Sequence, residues 1–192
     1  MKNRIDIRKL TYLAMLTAIV FILQFLSLYM RGGAFSITFV LVPIVIGVAI
    51  CGIWAGGWLG FVFAMAVLAT GDAALFLQFN IPATIALVIL KGVLAGLACG
   101  AVYKLLERFN RYIAIIAAAV VAPVVNTGIF FLGCHLFFFE DIAGYFEVET
   151  QGVTVFVLTG LIGLNFFIEL AINIILAPAV YRLMELLKKK KS

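Results

Sequence analysis

Apolar residues fill six long runs of the chain, and short polar segments separate these runs. A helix of about 20 apolar residues crosses the hydrocarbon core of a bilayer, because each residue adds ~1.5 Å to a ~30 Å path. The pattern predicts an all-α membrane protein, in which residues 1–192 form one integral membrane domain, a bundle of six transmembrane helices. The predicted spans are 10–29, 36–52, 54–70, 81–103, 112–138 and 153–181.

The fourth run, 81–103, contains a lysine in its interior and a regular row of glycines. Lys91 lies ten residues after Ile81, and this spacing places it about 15 Å along the helix. An ammonium at that depth costs at least ~2.5 kcal/mol unless a partner stabilises it, so Lys91 is a candidate functional residue. Glycines recur every fourth residue after Lys91, which predicts a smooth face for close helix packing: Gly92, Gly96 and Gly100.

The composition supports a polytopic membrane protein. The chain is 66% hydrophobic and 12% charged, with a mean hydropathy of +1.23, whereas soluble domains are about half apolar and a quarter charged. The first apolar run is too long for the core of a signal peptide and lacks a clear A-x-A site, so we expect it to be retained.

The basic residues predict the orientation of the bundle. Twelve of the 14 lie at the two termini and in the connector after the fourth span, whereas the opposite loops carry Arg31 and most of the acidic residues. By the positive-inside rule, both termini face the cytoplasm. The net charge of +5 therefore reflects membrane topology and does not indicate nucleic-acid binding.

Polar residues in the last two spans lie at depths similar to that of Lys91. Asn126 and Thr127 are about 18 Å from the outer end of the fifth span, and the sixth span places Asn165, Glu169 and Asn173 on one helical face. Gln24 of the first span lies at about the same level. These residues either hold the bundle together, with Lys91 paired to Glu169, or form an outward-facing pocket whose lysine meets an anionic group of a solute.

No known catalytic signature occurs in the sequence. It lacks an ATP-binding G-x-x-x-x-G-K-[ST] loop, an H-E-x-x-H motif, a G-x-S-x-G motif and a cluster of metal ligands. We therefore expect no enzyme activity, no cofactor and no metal. The apolar segment 71–80 is expected to be a loop that either covers the pocket as a lid or lies in the membrane interface.

Several stretches resemble the substrate-binding subunits, or S components, of energy-coupling factor (ECF) vitamin transporters. The segment 14–18 matches an A-x-x-x-A pattern on the first helix, and 41–47 with 56–60 resemble the second and third helices. The segments 90–96 and 123–128 resemble the fourth and fifth helices. Small residues spaced four apart give the flat contact surface that helix docking requires.

The resemblance implies a division of labour among subunits. The chain would capture a vitamin from outside, and its loops 31–36 and 71–80, with Arg31, Phe76 and Phe79, would close over it. Ala14 and Ala18 would dock on a membrane coupling subunit that works with two ATPases. A lysine with asparagines suits a small carboxylate that carries hydroxyl or amide groups; pantothenate fits, and the second and third helices resemble the pantothenate subfamily.

Two other functions remain open from the sequence. The chain could be a stand-alone secondary transporter or channel that uses Glu169 as an ion or proton site, although we find no inverted repeat. It could also be a membrane scaffold whose polar residues only pack helices.

Overall fold

The computed structural model describes residues 7–32, 35–36 and 39–189, and this part of the chain is an all-helical bundle with one very short β-ladder. The ladder pairs β1 (Arg31–Gly32) with β2 (Phe35–Ser36) in antiparallel fashion. Short 3₁₀ turns cover Leu28–Met30 and Thr150–Gly152, and a π-helical segment covers Val157–Gly163. The helices are α1 (Ile7–Ser27), α2 (Leu41–Cys51), α3 (Ile53–Ala69), α4 (Ala74–Phe79), α5 (Ile81–Leu106), α6 (Arg111–Phe137), α7 (Phe139–Tyr145), α8 (Val153–Phe156) and α9 (Leu164–Lys189).

Within the described part of the chain, four helical segments are long and apolar enough to cross a membrane. They are α1, α5, α6 and the continuous segment Thr150–Leu187, which corresponds to the predicted sixth span. The predicted second and third spans contain the shorter apolar helices α2 and α3, of 11 and 17 residues. Helix α2 begins at Leu41, not at residue 36, and Pro43 therefore lies in its first turn, where the missing N–H group costs no hydrogen bond.

Helix α5 lies between α3 and α6, its two most extensive neighbours. The predicted glycine face of α5 packs directly on the glycines of α3. A Cβ atom built on Gly60 would overlap the carbonyl oxygen of Gly92, and one built on Gly56 would overlap that of Gly96. The two backbones therefore touch, and the prediction of close helix packing at this face is confirmed.

Asparagine side chains cap the two helices that follow short connectors. Asn80 Oδ1 accepts a hydrogen bond from the backbone N–H of Ala83 at 3.1 Å, and Pro82 occupies the first turn of α5. Asn110 Oδ1 accepts from the backbone N–H groups of Tyr112 and Ile113 at 2.8 and 3.2 Å. These caps fix where α5 and α6 begin, and hence the level of the side chains further along both helices.

The bundle has two apolar clusters and an apolar exterior. The larger cluster surrounds α2, which contacts α1, α3, α5, α6 and α9, and the smaller lies beneath α7. Large apolar side chains also cover the outside of the long helices, with Leu132, Phe167 and Ile175 each more than half exposed. An exterior of this kind suits contact with lipid.

Two segments without a predicted span contain short helices. Helix α4 lies within the predicted loop 71–80, and α7 lies within the acidic segment 139–152. Phe76 of α4 packs on Phe130 and Phe138 at ring-centroid distances of 5.2 Å. Phe139 of α7 packs on His135 of α6 at 5.0 Å. Helices this short depend on tertiary packing, which a pattern search does not detect.

Candidate functional site

A cavity of about 520 Å³ lies inside the bundle, bounded by residues of α3, α4, α5, α6, α7, α9 and the π-helical segment. Five of the six residues predicted to bind a solute line this cavity: Lys91, Asn126, Thr127, Asn165 and Glu169. They come from three helices that are distant in sequence. The structure therefore places them around one space, as the pocket hypothesis requires.

Lys91 faces this cavity from α5 and has both an aromatic and an acidic environment. Its Nζ atom lies 4.9 Å from the centroid of the Phe130 ring, a cation–π geometry. The carboxylates of Asp72 and Glu169 are close enough to attract the ammonium electrostatically. Two acidic residues thus lie near the lysine, where the sequence suggested Glu169 alone.

Asn126 and Thr127 reach the cavity from α6, one turn after Pro123. The side chain of Asn126 is only 7% exposed. Its Oδ1 atom is buried and has no hydrogen-bond donor within residues 7–32, 35–36 and 39–189. A buried amide oxygen without a donor costs free energy.

Asn165 and Glu169 reach the cavity from the first turns of α9. The π-helical segment just before them also contributes Leu161 and Ile162 to the cavity wall. A π turn contains more residues than an α turn, and such turns are frequent at functional sites. It sets the rotation at which α9 presents these two polar side chains.

Asn173 continues the same face of α9 but lies outside the cavity. It is 2% exposed, and its Nδ2 atom donates to the backbone carbonyl of Glu169 at 2.8 Å. The predicted polar face of the sixth span therefore contributes two residues to the cavity wall and one to the interior of the bundle.

Gln24, the sixth predicted binding residue, does not line the cavity. It is fully buried in α1, and its Nε2 atom donates to Asp72 Oδ2 at 3.2 Å and to Thr70 Oγ1 at 3.5 Å. Asp72 does line the cavity. Gln24 therefore acts on the cavity through Asp72.

Helix α4 and the residues before it cover one side of the cavity, to which Asp72, Leu75 and Phe76 contribute. The backbone turns into this segment at Gly71, whose φ of +69° is in the left-handed region that favours glycine. The hydroxyl group of Thr84 donates to the Phe76 carbonyl at 2.7 Å and so links α4 to α5.

The two other residues predicted in gating loops have different positions. Phe79 packs on Tyr145 of α7, with ring centroids 5.6 Å apart, and supports the cover without lining the cavity. Arg31 begins β1, and its side chain lies outside the described part of the structure.

Aromatic rings form much of the remaining wall. They come from α3, α4, α6, α7, the residue after α7, and α9, and they are Phe63, Phe76, Phe130, Tyr145, Phe146 and Phe166. Within the described ranges, no group of three or more His, Cys, Asp or Glu residues could hold a metal ion. The arrangement can enclose a small organic molecule with an apolar ring and several polar groups.

The family model for the ECF transporter, substrate-specific component, matches residues 8–181. The chain belongs to this family. A search of the curated proteins and a search of the solved structures each return no match. The resemblance found in the sequence is confirmed at the level of the family, while the pantothenate subfamily remains a prediction.

Membership gives this S component a general function. Proteins of the family are multi-pass membrane subunits that bind small substrates and work with a membrane coupling subunit and ATPases. It is a family of transporters, and the stand-alone transporter considered from the sequence is not favoured.

The S component exposes the small-residue face predicted for docking. Ala14 and Ala18 are exposed on α1, whereas Leu16 and Val20 are buried on its opposite side. At the edge of this face, Trp58 Nε1 of α3 donates to Thr17 Oγ1 at 3.1 Å. The face is therefore open to a partner, and α1 is attached to α3 beside it.

The sequence analysis missed three polar residues of the cavity: Asp72, Thr84 and Tyr145. Asp72 had contributed only to the charge of the outer loops, and Tyr145 belongs to a segment treated as a loop. Thr84 was a visible signal, since it is one of the few polar residues in the fourth apolar run.

Proposed function

We propose that this S component captures a small, vitamin-class solute from outside the cell and holds it in the cavity around Lys91. A separate coupling subunit and two ATPases would then release the solute into the cytoplasm. One observation carries the proposal: five polar residues from α5, α6 and α9 line a single cavity of about 520 Å³. A site for helix packing alone would not leave such a space beside a lysine.

The orientation of this subunit follows from its charges. Six crossings, with α2 and α3 as the second and third, place both termini in the cytoplasm, where most basic residues then lie. In this orientation α4 and α7 are on the outer side, and the cavity lies beneath them in the outer half of the membrane. A solute would enter past α4 and the β1–β2 segment, which would close behind it.

Lys91 gives the site its preference for an anionic group on the solute, and the amides of Asn126 and Asn165 add hydrogen bonds. Pantothenate carries a carboxylate, hydroxyl groups and an amide, and it is the candidate from the sequence. Docking on the coupling subunit would use Ala14 and Ala18 of α1.

Reconstitution tests the proposal directly. The purified chain would be placed in liposomes with its coupling subunit and ATPases, and uptake of the solute that copurifies with it would be measured with and without ATP. We expect uptake that requires ATP and all subunits. Uptake by the chain alone, driven by an ion gradient, would instead support the alternative with Glu169 as the ion site.

A further inference from the structure

Aromatic side chains form a large part of the cavity wall, and most of them retain accessible surface. Six of the lining residues are aromatic. Five of the six are half-buried or exposed, and they are Phe76, Phe130, Tyr145, Phe146 and Phe166. The wall therefore offers ring surface to a solute beside the lysine.

The rings on the outer side of the cavity form a continuous row that ends at Lys91. The Lys91 Nζ atom lies 4.9 Å from the Phe130 centroid, and Phe130 pairs edge-to-face with Phe76 of α4 at 5.2 Å. Phe76 pairs with Phe79 at 6.1 Å, and Phe79 with Tyr145 of α7 at 5.6 Å. A solute whose charged group meets the ammonium therefore has aromatic rings within reach of the rest of the molecule.

Helix α9 adds a ring that lies outside this row. Phe166 lines the cavity, and within the described ranges its ring pairs only with that of its chain neighbour Phe167, at 5.5 Å. Phe167 is 65% exposed on the outside of the bundle. A ring in the cavity wall without a partner from another helix is available to pair with a ring of the solute.

The charges of the wall leave the rings a large share of the binding. Among the described residues that line the cavity, Lys91 is the one basic residue, and the carboxylates of Asp72 and Glu169 lie near it. These carboxylates repel an anionic group and reduce what its attraction to the ammonium contributes. The charge pair fixes one end of the solute, and ring contacts supply further affinity.

We infer that the solute carries a flat aromatic ring as well as an anionic group, with the anionic group at Lys91 and the ring among Phe76, Phe130 and Phe166. This inference rests on the proposed function and narrows its substrate class. Pantothenate has no ring, so the inference favours a ring-bearing anion over it. A cavity of about 520 Å³ has room for such a molecule.

Three compounds separate the ring from the charge. The first, 3-phenylpropionate, has both; 3-cyclohexylpropionate keeps the charge but has a saturated ring; 3-phenyl-1-propanol keeps the aromatic ring without the charge. Binding to the purified full chain in lipid nanodiscs would be measured by calorimetry at millimolar concentration, with empty nanodiscs as the reference for partition into lipid. We expect 3-phenylpropionate to bind at least about threefold more tightly than 3-cyclohexylpropionate, although the saturated ring is the more hydrophobic.

Matched variants assign this preference to the cavity. Phe166→Leu removes a ring from the wall and should reduce the threefold preference, whereas Phe167→Leu removes an exposed ring on the outside and should leave it unchanged. Phe166→Tyr retains the ring and should retain the preference. If Phe166→Leu fails to fold, Phe146→Leu removes another ring of the wall and should have the same effect.

Three results would overturn the inference: equal binding of the two propionates by the unaltered chain, no measurable binding of 3-phenylpropionate, or a preference that survives both Phe166→Leu and Phe146→Leu. None of these would refute the proposed function, since ATP-dependent uptake of an anion without a ring would still be the activity of an S component. Binding of 3-phenyl-1-propanol as tight as that of 3-phenylpropionate would instead count against Lys91 as the site of an anionic group, and failure of uptake in the reconstituted system would count against the proposed function itself.

Discussion

Gln24 of α1 donates a hydrogen bond from Nε2 to Asp72 Oδ2 at 3.2 Å, and this bond joins a buried polar residue of α1 to the wall of the cavity. The same amide donates to Thr70 Oγ1 at 3.5 Å, at the end of α3. The helix proposed to dock on the coupling subunit is thus attached to an acidic residue that lines the same cavity as Lys91.

Replacing Gln24 with methionine should destabilise the protein and weaken solute binding. The variant keeps the shape of the side chain but leaves the Asp72 carboxylate without this donor, a loss of roughly 1.5–3 kcal/mol for a hydrogen bond to a charged group. The thermal midpoint in detergent and the solute affinity would be compared with those of Gln78→Met, because Gln78 is exposed on α4. If the two variants behave alike, the Gln24–Asp72 bond is unimportant.

A methyl group at the α3–α5 contact should also destabilise the bundle. In Gly96→Ala the new Cβ would overlap the backbone carbonyl of Gly56, so the helices must separate, at a cost of roughly 1–3 kcal/mol. Gly128→Ala on α6 is the matched control, since a Cβ there meets nothing within 4 Å. Thermal unfolding in detergent measures both, and equal midpoints would contradict the described helix contact.

The spacing of polar residues in apolar runs was enough to predict most of the polar residues that line the cavity. Counting residues from the outer ends placed Lys91, Asn126 and Glu169 at similar depths, and a charged or amide group at that depth is costly unless it has a use. The glycine repeat likewise predicted the close face of α5. The polar spacing and the glycine repeat can each be seen within one span, without knowledge of the contacts between spans.

The rest of the site depends on contacts between elements, which the residues of one span do not reveal. Asp72 lines the cavity because α4 folds back over it, and α4 is held by Phe76 against α6 and α7. The π-helical segment before Asn165 changes the rotation of α9, and the hydropathy pattern does not distinguish a π-helix from an α-helix. For the same reason Gln24 was predicted in the pocket, although its amide reaches the cavity only through Asp72.

A bulky residue on the small face of α1 should prevent assembly without affecting solute binding. Ala18 is exposed, so Ala18→Trp can be accommodated by the isolated chain but not by a partner that packs closely on that face. Copurification with a tagged coupling subunit would be compared with that of Ala171→Trp, an exposed alanine on α9. Loss of copurification only in the Ala18 variant is the expected result, and loss in neither would remove α1 as the docking helix.

Glu169→Gln distinguishes a binding residue from an ion-coupling residue. We expect the variant to bind the copurified solute at least as tightly as the unaltered chain, because the Glu169 carboxylate repels an anionic group in the cavity, while uptake still depends on ATP. The control is Glu185→Gln, an exposed position near the end of α9. Uptake that follows a proton gradient in the unaltered chain, and loses that dependence in Glu169→Gln, would contradict this role.

The most direct test of the central claim is the affinity of the Lys91→Met chain for the solute that copurifies with the unaltered protein. Methionine retains an unbranched side chain but removes the charge that faces the cavity, and Lys104→Met at the exposed end of α5 is the control. We expect the first variant to remain folded and bind at least about tenfold more weakly, with the control unchanged. Equal affinity in all three chains would show that the solute does not bind at Lys91.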